Sequence, residues 1–125
     1  MKILFCSPNS LLIDGGGVNW IVNVATKLVE KGHEVNVFSI GYDFNQRRLT
    51  KEQIKKMLNN IPWIEVPIIK SQLLLSFGLL LPTPKGFLNL LKLAKNSDVI
   101  HFEIGNGLDI TIFLIKLMTN RPVAT

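Results

Sequence analysis

Cysteine is almost missing from this chain: Cys6 is the only one among 125 residues. A single thiol excludes a disulfide framework and a zinc cluster within one chain. Its place inside an apolar run reads as a small core residue. Histidine is scarce as well, with His33 and His101 alone. No cluster of Asp and His with ligand spacing occurs, so no metal is implied. The apolar start is too short for a secretory signal and no cleavage pattern follows it. The longest apolar stretch, Leu73 to Leu81, falls far below the roughly 20 residues that span a bilayer. No internal repeat or linker divides the chain, and its length fits one domain with a real core.

What is abundant is apolar surface. Apolar residues make up 47% of the chain and the mean hydropathy is +0.30. Both are high for a free-standing domain, which points to apolar surface covered by something else. The net charge is +5, from 14 basic and 9 acidic residues. That excess suits an anionic ligand, an anionic membrane surface or no specific partner.

Strands and helices alternate along the sequence. Lys2-Ile-Leu-Phe-Cys-Ser7 reads as a buried strand. Val18, Ile21, Val22, Ala25, Leu28 and Val29 repeat at helical spacing, and Gly32 after Lys31 is a left-handed cap. Glu34 to Ile40 reads as a second strand and Gly41 to Gln46 as a loop. Leu49 to Asn59 reads as a short basic helix with Ile54, Met57 and Leu58 inward. Trp63 to Ile69 is a third strand, where Pro67 marks an edge or the end of pairing. Gln72 to Leu81 is a leucine-rich connection, and Lys85 to Asn96 a helix. Asp98 to Glu103 is a fourth strand, Leu108 to Met118 a helix, and Pro122 to Thr125 the start of a fifth strand. The alternation predicts a three-layer α/β domain with a mostly parallel sheet of about five strands. Ligands in such sheets gather beyond the carboxyl ends of the strands. Ser7 to Gly17, Gly41 to Tyr42, Glu103 to Gly107 and Thr125 all fall at that edge.

Gly15, Gly16 and Gly17 sit between the first strand and the first helix. Without a Cβ, backbone N–H groups there approach a ligand closely, and the helix start adds its unpaired donors and positive dipole end. Such a unit seats a phosphate or a sugar; it also serves as a plain tight connection. Known phosphate loops do not fit. A Walker loop needs glycines ending in Lys-Ser or Lys-Thr, whereas Val18-Asn19 follows Gly17. The dinucleotide fingerprint starts directly after the strand, whereas Pro8 to Asp14 intervene. A phosphoacceptor receiver needs acidic residues after the first strand, whereas Ser7-Pro8-Asn9 stands there.

Met1-Lys-Ile-Leu, then Gly15-Gly-Gly17, then Leu28-Val-Glu-Lys-Gly-His-Glu-Val-Asn-Val-Phe38 resembles the opening of the glycogen-synthase-like glycosyltransferases, family four. Asp98-Val-Ile-His101 and Arg121-Pro-Val-Ala-Thr125 are similar to later strands of that family. The resemblance runs over essentially the whole chain, most thinly from Phe44 to Lys95. It implies a Rossmann-like N-terminal half of the two-domain GT-B fold, residues 1–125 being the acceptor-side domain, truncated. It implies hexosyl transfer from a sugar nucleotide to an acceptor with retention of configuration. The sugar nucleotide is then a substrate, and no cofactor or metal is expected. The glycines would face the interdomain cleft near the donor diphosphate. The donor would sit on a C-terminal domain that these residues do not include, so the chain alone would be inactive. Where many relatives carry a second histidine in the fourth strand, this chain has Glu103. The reading that competes is a non-catalytic, stand-alone Rossmann-like module for a ligand or protein.

Individual residues carry paired readings. His33 is a turn residue beside the cap. His101 is either a satisfied core histidine or a cleft contact. Glu103 needs a partner or water if buried, which suits a cleft. Asn106 caps the next helix or holds a sugar hydroxyl. Trp20 lies off the apolar stripe and either packs or stacks on a sugar. Lys85, Lys92 and Lys95 flank Phe87, Leu88, Leu90, Leu91 and Leu93. Either Leu88, Leu91 and the others pack on the sheet, or the segment makes a membrane-surface contact. The expected setting is cytoplasmic, peripheral to the inner face of the membrane. No nucleic acid partner is expected, and exposed cleft surface would favour a homodimer of the fragment.

Overall fold

A computed structural model describes residues 1–7, 16–41, 50–69, 71–77, 81–102 and 109–124. The described elements are β1 (Lys2–Ser7), α1 (Gly16–Glu30), β2 (Glu34–Gly41), α2 (Lys51–Leu58), β3 (Trp63–Pro67), α3 (Gln72–Ser76), α4 (Pro84–Lys95), β4 (Val99–Phe102), α5 (Asp109–Thr119) and β5 (Val123–Ala124). All ladders between these strands are parallel, in the order β3-β2-β1-β4-β5. The chain builds outward from β1 to β3, then returns past β1 to place β4 on its other side. The strand order therefore reverses between β1 and β4.

Alternate residues of β1, β2 and β3 feed two separate cores, which is why these strands read as nearly continuous apolar runs. Leu4, Cys6, Phe38, Ile40, Ile100 and Phe102 face α4 and α5, where Leu90, Leu91, Ala94 and Ile115 close over them. Phe5, Val35 and Val37 face α1 and α2 and pack against Ile21, Val22, Ala25, Ile54 and Leu58. Adjacent starts of β1 and β4 are tied at the amino edge. Lys2 N donates to Asp98 Oδ2 at 2.8 Å, and Asp98 N donates to the Lys2 carbonyl at 2.7 Å.

Helix ends follow local chemistry. The α1 C-terminus closes in a Schellman arrangement: His33 N donates to Leu28 O and Gly32 N to Val29 O, both at 3.0 Å. Gly32 takes φ +91°, as the cap predicts. Thr50 and Gln53 form a reciprocal capping box at the start of α2. Thr83 caps α4, with Pro84 at its first position.

Several boundaries differ from expectation. The first helix begins inside the glycine triplet, so Gly16 and Gly17 are helical rather than loop residues; Gly15 lies outside the described residues. Val29, expected inward, is exposed. It shares a helix face with Val22 and Ala25 but lies in the last turn of α1, next to the Gly32 cap. The third strand ends at Pro67, and Ile68 instead bridges Pro82 in antiparallel fashion. Proline lacks the N–H that would continue the ladder. The leucine-rich connection contains a short helix, Gln72–Ser76. Leu88 does not pack on the sheet; it is 63% exposed.

Close packing of α4 on β3 depends on Gly86. A Cβ at that position would lie 2.8 Å from Val66 Cβ and 2.9 Å from Val66 Cγ2. Gly86→Ala should cost about 1–3 kcal/mol through overpacking. Thermal melts should record this as a Tm lowered by several degrees. Adding Val66→Ala should recover part of the loss, because the two side chains compete for one space. An unchanged Tm for Gly86→Ala would contradict this packing.

Candidate functional site

The carboxyl edge of the sheet at the β1–β4 reversal is where an open α/β fold leaves a crevice. Helix α1 runs back from this edge, so its N-terminus stands at the crevice. Gly16 and Trp20 are one turn apart and share a helix face. The first-turn N–H groups have no intrahelical acceptors, and the dipole there is positive. Trp20 is 44% exposed.

Three aromatic rings meet below that helix start. Phe5 and His101 are register partners on β1 and β4. Their ring centroids are 5.2 Å apart. Trp20 stands edge-on to Phe5 at 6.2 Å and 78°. It is tilted by 36° over His101 at 5.6 Å. His101 is half-buried rather than enclosed on both faces. That differs from the core position expected for a central strand. The α1 face of β4 is roofed by the Trp20 ring instead of by aliphatic side chains. Trp20 and His101, separated widely in sequence, are thus brought together, with the indole holding one side of the imidazole.

A second group lies across the same sheet face. Ser7, Ser39 and Glu65 are aligned on three neighbouring strands. Ser39 Oγ donates to Glu65 Oε1 at 2.9 Å, and Trp63 Nε1 donates to Ser39 Oγ at 2.9 Å. These bonds satisfy a hydroxyl that is fully buried and fasten the end of the edge strand. Ser39 and Glu65 were not singled out in the sequence. The available signal was a polar residue near the carboxyl end of each apolar strand, with the same parity as Ser7.

The remaining candidates distribute differently. Glu103 and Asn106 lie outside the described residues, as does Gly15. His33 is at the opposite edge, its Nδ1 3.3 Å from the Met1 amino group. Among the described residues no three His, Cys, Asp or Glu side chains come together as a metal site. Thr111 Oγ1, in the first turn of α5, is buried and has no hydrogen-bond partner among the described residues. Cys6 faces the α4–α5 core.

No protein-family model matches the chain, and no curated protein matches it by sequence. Among solved structures, the fold is that of a Rossmann-like domain matching the N-terminal part of a GT-B glycosyltransferase. The match is to the crystal structure of MurG from Acinetobacter baumannii, with a TM-score of 0.55. It extends over 98% of this chain and 33% of the MurG chain, at 17% identity. At that identity the likeness concerns the fold. The chain spans about a third of the length of the protein it matches.

Burial pushes the Cys6 thiol well above its ordinary range, because the thiolate would lose its hydration. The native thiol should therefore resist alkylation by iodoacetamide at pH 8 while the unfolded chain reacts. A raised folded-state value also sets the sign of the pH effect. The stability it carries is complete below the ordinary thiol value of 9.0. It is lost as pH rises from there toward the folded value, since only the unfolded chain releases the proton. Rapid native alkylation would contradict the buried position.

Proposed function

We propose that this chain is the acceptor-side domain of a sugar-nucleotide-dependent glycosyltransferase of the glycogen-synthase-like family four. The observation that carries this reading is the GT-B likeness over 98% of the chain. The family-four assignment is supported by the order of its sequence features, from Gly15–Gly17 to Arg121–Thr125.

In this reading the open N-terminus of α1 donates N–H groups to oxygens of the donor diphosphate or the acceptor. Gly16 and Gly17 keep that approach free of side chains. Trp20 offers an aromatic face to a sugar ring, with His101 fixing the tilt of the indole from below. Glu103 and Asn106, following β4 in sequence, are assigned to sugar hydroxyls. The donor's base and sugar are held by a second domain, so none of these 125 residues is assigned a bond-making role. Transfer of a hexosyl group with retention of configuration belongs to the same proposal, and the sugar nucleotide is a substrate rather than a cofactor.

The test compares the 125-residue chain with the longest polypeptide its gene encodes. Supplied with sugar nucleotide and a competent acceptor, the 125-residue chain should show no transfer, because positioning and charge stabilisation need both sides of a cleft. The longer polypeptide should transfer. A gene that stops at Thr125, or turnover by the short chain, overturns the reading in favour of a stand-alone module or a different catalyst.

Within the active polypeptide, Gly16→Val should lower kcat/KM by tenfold or more while leaving the melt nearly unchanged. The added Cβ branches crowd the ligand approach, whereas Gly16 is the first residue of α1, where helix propensity weighs little on stability. Trp20→Ala should raise KM for the acceptor. Wild-type kinetics in both variants would reduce the glycines and the indole to structural parts.

A further inference from the structure

The amino edge of the sheet carries a groove of its own, at the end opposite the β1–β4 crevice. Its larger part, about 360 Å³, lies between the end of α1, the start of β2 and the turn after α2. Val29 and Ile61 give it apolar walls, while His33, Glu34 and Asn59 add polar groups. A hollow of about 250 Å³ adjoins it, lined by Lys55 and Trp63 and sharing Asn60, Ile61 and Pro62 with the first. Val29, exposed in the last turn of α1, is therefore part of a concave surface. Asn59 and Asn60 both take positive φ, +46° and +72°, as the chain leaves α2 for β3. Glycine would turn the chain at least as easily. What the asparagines add is two side-chain amides. Both residues are exposed, and no other described residue bonds either amide. Trp63 Nε1 is spent on Ser39 Oγ, so the indole offers the hollow carbon surface.

We propose that this groove binds a neutral oligosaccharide, an inference that goes beyond the transferase reading and does not depend on it. Charge argues against an ionic occupant, since Glu34 and Lys55 offset each other along the lining. A sugar hydroxyl both donates and accepts, and an asparagine amide answers it in both directions. The C–H faces of sugar rings suit the flat apolar surfaces of Trp63 and Pro62. The larger hollow falls within the roughly 300–1,000 Å³ of small-molecule sites, and a mostly apolar wall with a few polar groups is their usual lining. Two hollows that share a wall admit adjoining sugar units rather than a single one.

The experiment titrates the isotopically labelled 125-residue chain with maltohexaose, cellohexaose and chitohexaose, followed by heteronuclear NMR. At least one of the three should shift the Asn59 and Asn60 side-chain amides and the Trp63 indole saturably, with a Kd of about 1 mM or tighter. The matching monosaccharide should bind about tenfold more weakly. Asn60→Gly removes the amide and keeps the turn, because glycine takes φ +72° without strain. It should weaken binding about tenfold with an unchanged melt. Trp20→Ala, at the crevice, should leave these shifts as in wild type. Absence of saturable shifts with all three sugars overturns the proposal, as does wild-type affinity in Asn60→Gly. Equal affinity for the monosaccharide overturns the oligosaccharide assignment. Binding lost in Trp20→Ala but kept in Asn60→Gly would place the sugar in the crevice, which overturns this site and leaves the transferase reading standing.

Discussion

The strand that everything else leans on is β1. It is central in a parallel sheet, with β2 hydrogen-bonded on one side and β4 on the other. A central parallel strand must be covered on both faces, since no water reaches either side. Leu4, Cys6 and Phe5 accordingly point into two different cores and are almost completely buried. Because β1 and β4 diverge in their connections, the crevice at their carboxyl ends is a consequence of topology. It needs no special residue to create it.

What special residues do is furnish that crevice. The register that pairs Phe5 with His101 places an imidazole beside a phenyl ring under α1. An aliphatic residue at position 20 would bury itself there; tryptophan, too large to be enclosed, leaves part of its ring in solvent. Helix α1 starts with two glycines, an inefficient way to begin a helix. Such a start is consistent with a need for close approach, the kind of local inconsistency that marks functional positions.

Opposite faces of the sheet have unlike exteriors. Over the α1–α2 layer, the polar helix α2 presents Lys51, Lys55 and Lys56 to solvent, and Trp20 and Val29 of α1 are the exposed large apolar side chains among the described residues of these two helices. The α4–α5 layer mixes lysines with exposed leucine, phenylalanine and methionine. Charge alone does not separate these layers; the combination of charge with uncovered apolar area does. The surplus hydropathy of the chain is therefore located, in part, on one outer surface.

From the amino-acid sequence alone the class of fold was legible, as were all five strands and the four longer helices. Periodicity records which side of each element meets a core. A cap residue such as Gly32 acts on the backbone next to it, so its effect is local and readable. The exact edges were less legible where backbone chemistry competes with pattern, as at Pro67 and at Gly16. Of the site, the glycines and Trp20 stood out in the sequence. Only the tertiary structure decided that Trp20 covers His101 and that Ser39 bonds Glu65. It also decided that Leu88 faces solvent while Leu90 and Leu91 do not. Those outcomes depend on strand register and on the rotation of each helix over the sheet. Both are set by packing between residues far apart in the chain, and no local pattern encodes them.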